Sequence, residues 1–345
     1  MIYVVIVFLW VALLLYIIMG GADFGAGIIE LFTTGKRLNI SRARHIMYKA
    51  IGPIWEANHM WLIIAIVILF VGFPNVYATM STYMHIPLLV MLMGIIARGT
   101  ALTFRNYDAV TDNMQVVYNK IFVYSSFITP FFLGIIAGST VSGHIDPQAT
   151  NFMDAYVYSW LNLFSVAIGL FTVSLCGFLA AIFLIGETAD AVEHENFVRK
   201  AKIMNIAAVA AGLLVFIAAI EEHIPLANWV FGNFVGLAAV IAATISLIAL
   251  WYLIAKGKKY IIRVLAGFQI TMILLTTTYK HYPNIILFKD GSHLSLIENQ
   301  GAEKAIQSLG MALLVGSIFI LPALFYLIWS FQRKPEQADH DMHGH

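Results

Sequence analysis

Acids placed in apolar segments are the residues of this chain whose positions most suggest chemistry. A charged side chain at the centre of a membrane helix costs about 2.5–3.5 kcal/mol on insertion scales, so it marks a functional position by default. Glu56 is one such acid, in the run GPIWEANHMW over 52–61, which leads into the uncharged stretch 62–70. Asp23 is a second, in GGADFGAG over 20–27. Asp23, Gly27 and Glu30 are spaced i, i+4 and i+7 and share a helix face. His59 lies three residues beyond Glu56 on the same face, and Arg98 adds a cation within the third apolar segment. Carboxylates and an imidazole spaced for transfer through water can take protons from one side of a membrane and pass them inward. The plainer reading makes Glu56 and Arg98 a satisfied ion pair between helices. Arg98 alone could snorkel to a nearby interface, and Glu30 alone reads as a solvated helix-end acid.

The elements that must hold these residues are membrane helices. The hydrophobic fraction is 60%, charged residues make up 11% of the 345, and mean hydropathy is +0.83. A polytopic helical membrane protein has this composition and a soluble domain does not. The net charge of +1 leaves no footprint for nucleic acid. One cysteine, Cys176, cannot form an internal disulfide or a cysteine cluster for metal. The N-terminal segment has no basic leader and runs past the length of a signal peptide, so it reads as a retained transmembrane helix.

Hydropathy predicts an all-α chain of nine spans, at 2–33, 50–73, 80–104, 117–141, 156–186, 200–221, 229–255, 260–280 and 307–331. With the first residue outside, seventeen of the twenty Lys and Arg fall on one face, leaving Lys280, Lys289 and Lys304 on the other. The positive-inside rule makes the basic face cytoplasmic, with the N-terminus outside and the C-terminus inside. Parallel starts predict two four-helix bundles, 1–141 and 156–280, a peripheral ninth helix at 307–331 and a cytoplasmic tail at 332–345. The external loop at 281–306 is polar. In this topology Asp23, Glu56, His59 and Arg98 reach one level near the cytoplasmic face, with Glu30 nearer the mouth. The Gly21 to Gly25 spacing permits close helix contact. Of the 11 histidines only His59 falls inside the membrane. Bis-histidine haem ligation needs two opposed ligands, so a haem held within this chain is not expected, nor is a metal.

At these residues the chain resembles subunit II of the cytochrome bd-type quinol oxidases. The resemblance is carried by GGADFGAG at 20–27 and by GPIWEANHMWL at 52–62, with Leu69, Phe70, Phe73 and Pro74 after it. Tyr282-Pro283, Leu321-Pro322 and Tyr326 add to it near the end. Glu56 stands where aspartate is common, and the Glu-Ala-Asn-His form resembles the cyanide-insensitive branch. The resemblance implies a respiratory terminal oxidase of the bacterial or archaeal cell membrane that oxidises quinol and reduces dioxygen to water. It implies that the haems, b and d or b alone, and the reactions with quinol and dioxygen belong to the partner, subunit I. This chain would be a scaffold without haem that carries a cytoplasmic proton route through Asp23, Glu56, His59 and Glu30, with Arg98 as a structural charge beside it. A structural quinone or lipid and a small single-helix subunit are further expected partners. The competing reading from the residues alone is a proton- or cation-coupled secondary transporter that uses the same acids. A membrane cytochrome with its own haem is a third, opposed by the histidine positions.

Overall fold

The structure, a computed structural model, describes residues 1–32, 55–105, 112–188 and 191–333. The first loop with Lys36, Arg37, Arg42, Arg44 and Lys49, and the tail from 334 onward, lie outside the described residues. So do the side chains of Glu56 and Arg105.

The first span, Ile2–Leu31, is built from α1 (Ile2–Leu15), a π-helical turn (Tyr16–Gly20) and α2 (Gly21–Leu31). A π turn re-aims the residues after it, and here it immediately precedes the stretch that carries Asp23. The second span is broken. Helix α3 (Trp55–Gly72) turns by 114° into α4 (Pro74–Tyr83). Pro74 cannot donate a backbone hydrogen bond and opens α4 at its first turn, where that loss is harmless. The Gly72 carbonyl left open by the break accepts from the Gly301 amide at 2.8 Å. The third span therefore begins at His85, as α5 (His85–Arg105), and not at 80.

Helix α6 (Asp112–Ser142) is followed by the short α7 (Phe152–Tyr156) and by α8 (Leu163–Glu187). The fifth span thus starts later than the 156 read from hydropathy. The reason is a cap: Asn162 Oδ1 accepts from the Ser165 amide at 2.8 Å. Helix α9 (Ala191–Glu221) leads to α10 (Leu226–Phe231) and α11 (Phe234–Ala255). Asn233 caps α11 in the same way, through the Gly236 amide at 2.7 Å, so the seventh span opens at 234 and not at 229. Then come α12 (Tyr260–His281), strands β1 (Asn284–Leu287) and β2 (His293–Ser295), and α13 (Glu303–Arg333). The two strands form an antiparallel hairpin in what reads from sequence as a polar loop. Among the described residues eight helices are long and apolar enough to cross a membrane, nine if α3 and α4 are taken as one bent span. The protein is a multi-pass, mostly helical membrane protein.

Helix α8 lies at the centre and packs against α2, α6, α9 and α12. Its core joins Ile28 and Ile29 of α2 to Leu179, Phe197, Leu250 and Ile262. A second core links α1 and α3 to the hairpin and α13 through Leu9, Ile68, Ile286 and Leu309. Outward faces carry exposed apolar residues such as Ile220, Val264 and Phe319, as a lipid-facing surface requires.

Candidate functional site

Small residues let three helices converge on Asp23. A Cβ on Gly25 would stand 1.9 Å from the Cys176 carbonyl oxygen, so α2 and α8 meet backbone to backbone. A Cβ on Gly27 would stand 2.3 Å from Ser126 Oγ, so α6 closes in on the opposite side of α2. Asp23 and Arg98 come together in the space this leaves. Arg98 Nη1 donates to Asp23 Oδ2 at 2.8 Å, and Nη2 donates to Oδ1 at 2.7 Å. The same Nη2 donates to the Asp23 backbone carbonyl at 3.0 Å, and Nε donates to Ser126 Oγ at 3.0 Å. The guanidinium lies 5.1 Å from the Phe24 ring centroid and 5.0 Å from that of Phe122. Arg98 is fully buried and Asp23 is 1% exposed. Bidentate Arg–carboxylate pairs combine Coulomb attraction with fixed geometry, and ring faces on both sides favour the cation further.

His59 stands beside this pair. Its ring centroid lies 5.9 Å from that of Phe24 and 6.1 Å from that of Tyr16 in the π turn. The charges of Asp23 and Arg98 both act on it. The Tyr16 hydroxyl and Asn58 Oδ1 are buried and have no hydrogen-bond partner among the described residues. Glu30 lies seven residues along α2, about 10 Å away down the axis. It is 6% exposed, which corrects the reading of a solvated helix-end acid. Its charged surroundings are different: Lys200 of α9 feels both Glu193 and Glu30. Glu56 opens α3, with its side chain outside the described residues. Arg98, which could have snorkelled as a helix-end residue, is turned inward because Asp23 and Ser126 supply acceptors there.

Residues 1–331 match the family model described as cytochrome bd terminal oxidase subunit II. The chain belongs to that family. Cytochrome bd ubiquinol oxidase subunit 2 of Bacillus subtilis (strain 168) is 29% identical over 209 residues, 59% of this chain and 60% of that protein. Cytochrome bd-I ubiquinol oxidase subunit 2 of Escherichia coli (strain K12) is 26% identical over 181 residues, 50% of this chain and 46% of that protein. These matches therefore span less than two thirds of either relative. The bd oxidase from Geobacillus thermodenitrificans shares the fold, with a TM-score of 0.73 over 95% of this chain and 98% of that one at 18% identity.

A cytochrome bd family implies haem in the complex. At Gly25 the backbones of α2 and α8 are already in contact, which leaves no room for a ligand at that one seam. Among the described residues no group of three or more His, Cys, Asp and Glu is placed to hold a metal ion. In this subunit II chain sequence reasoning singled out Asp23, Arg98 and His59 but missed Tyr16, Phe24, Phe122 and Ser126. Only Gly27, which makes room for Ser126, left a trace in the sequence. An apolar residue chosen to face a guanidinium looks like any other lipid-soluble residue.

Proposed function

We propose that this chain is the non-haem subunit of a respiratory terminal oxidase that oxidises quinol and reduces dioxygen to water in a bacterial or archaeal cell membrane. It scaffolds a haem-bearing subunit I, where quinol and dioxygen react, and supplies a cytoplasmic proton route. When bound in subunit I, haem b, with haem d or alone, supplies the electron transfer and oxygen chemistry. The observation that carries the proton-route reading is the Asp23–Arg98 pair, buried inside a membrane span with His59 beside it. Both Asp23 oxygens are occupied by guanidinium N–H groups. A proton passing this point therefore needs a neighbouring acceptor or a rearrangement of the pair. His59 provides an imidazole that can accept and release a proton, and the Tyr16 hydroxyl adds a buried donor. Glu30 and Glu56 serve as acids on the approach, and Arg98 holds Asp23 in place.

Two measurements test this. A reduced-minus-oxidised spectrum should be featureless for the chain alone and haem-rich when a larger membrane partner co-purifies. Stoichiometric haem on the isolated chain overturns the scaffold reading, and no haem in either preparation puts the transporter reading first. In the complex, Glu56→Gln should slow oxygen consumption by roughly tenfold, a barrier about 1.4 kcal/mol higher, with haem content and assembly unchanged. Full activity in that variant leaves Glu56 a structural residue.

A further inference from the structure

The turn between α11 and α12 presents a charged surface that the oxidase reading does not use. Lys256, Lys258 and Lys259 are all exposed in it. Helix α11 ends in a closed motif: the Lys258 amide donates to the Leu253 carbonyl at 3.1 Å and the Gly257 amide to Ile254 at 3.0 Å, with Gly257 at φ +68. The lysine side chains are therefore not needed to satisfy that end. The turn is also tied down. Arg263 Nη2 donates to the Phe183 carbonyl at 2.9 Å and to Glu187 Oε1 at 2.7 Å, and Lys259 reaches the Thr188 carbonyl at 3.4 Å. Glu187, an acid in contact with this patch, is thereby engaged by Arg263. Lys256 stands 4.5 Å above the Tyr252 ring.

The surface beside these cations is apolar and aromatic. Tyr252 is 59% exposed, Tyr260 76% and Val264 70%, and Ile248 and Ile261 are exposed with them. Exposed tyrosines at helix ends are what the interfacial layer of a bilayer selects, and the apolar residues behind them face acyl chains. The first turn of α12 has neither a side-chain cap nor an acid, which adds a partial positive charge at the same level. Cations above, aromatic rings at the interface and an acyl-facing flank are complementary to one molecule: a phospholipid with a net negative headgroup.

We propose that the α11–α12 turn is a binding site for an anionic phospholipid, with Lys256 and Lys258 holding the headgroup phosphate and Tyr252 and Tyr260 flanking the glycerol. Lys259 and Arg263 position the turn against α8. The test uses the chain purified in mild detergent with whatever partner it carries, titrated with phosphatidylglycerol or phosphatidylcholine and read by native mass spectrometry. The wild type should retain phosphatidylglycerol in preference to phosphatidylcholine. Lys256→Gln with Lys258→Gln should weaken retention about 25-fold, a factor of about five per lysine, which is the roughly 1 kcal/mol a cation contributes near an anionic surface. Lys256→Arg with Lys258→Arg should keep it. Tyr260→Glu places an acid in the first turn of α12, which favours the helix yet repels the phosphate, so loss of lipid there cannot be ascribed to misfolding. Equal binding of both lipids by the wild type, or unchanged binding in the Gln pair, overturns the site. Displacement of the lipid by inorganic phosphate assigns the patch to the free anion and overturns the lipid reading.

Discussion

Arg98 contributes stability at Asp23 only as half of a pair. Removing one partner of a buried pair leaves the other charge uncompensated and costs about 3–5 kcal/mol, whereas replacing both can be nearly neutral. Arg98→Met should therefore lower the thermal midpoint of the detergent-solubilised protein sharply, and Asp23→Asn with Arg98→Met should recover most of the loss. If the double variant is no more stable than the single, the pair is not a coupled unit. The pair also means that Asp23→Asn alone disturbs packing as well as any proton route, which makes Glu56→Gln the cleaner functional test. On the surface, Asp290 is held below the ordinary carboxylate pKa by hydrogen bonds from the Ser292 side chain and backbone. A lowered folded-state pKa gives stabilisation that is present above the ordinary carboxylate value and fades as pH falls through the lowered one. Ser292→Ala should raise the Asp290 titration midpoint in carboxyl carbon NMR, and an unchanged midpoint would refute that cause.

Contact distance is what the central elements trade on. Gly25→Ala would drive a methyl into the Cys176 carbonyl, and backbone on both sides cannot yield cheaply. The expected loss is about 1–3 kcal/mol, the usual cost of forcing a methylene into a packed core, read as a lower melting temperature and a lower yield. Gly212→Ala on α9 is the control. Its Cβ would meet Phe171 at 3.5 Å, an ordinary contact, and the helix should gain about 0.5–1 kcal/mol. A Gly25→Ala variant as stable as wild type would show that the α2–α8 seam can open. The bend after Gly72 is another property of elements: Pro74 forces it, and the Gly301 amide repairs the freed carbonyl.

Orientation belongs to the whole molecule. The basic turn between α11 and α12 and the hairpin between α12 and α13 lie at opposite ends of α12. The positive-inside rule predicts that the turn is cytoplasmic and the hairpin outside. Because Cys176 is 3% exposed, it forms a silent background for thiol labelling. Lys258→Cys should react with an impermeant reagent only from the cytoplasmic side, and Glu298→Cys only from the outside. The reverse pattern would invert the topology and remove the cytoplasmic origin of the proposed proton route.

What the sequence determined by itself was the class, the number and approximate limits of the spans and the presence of Asp23 and Arg98 in them, because hydropathy and the cost of charge in hydrocarbon act on each residue locally. The family was legible too, in two glycine- and acid-bearing blocks. Tertiary structure decided the rest. Pairing of Asp23 with Arg98 joins residues 75 apart, and it depends on the helix approach that Gly25 and Gly27 permit. Burial of Glu30, the π turn at Tyr16–Gly20 and the hairpin at 284–295 are likewise outcomes of packing. A one-dimensional apolar pattern is the same for a residue facing lipid and one facing Arg98, so only the folded arrangement distinguishes them.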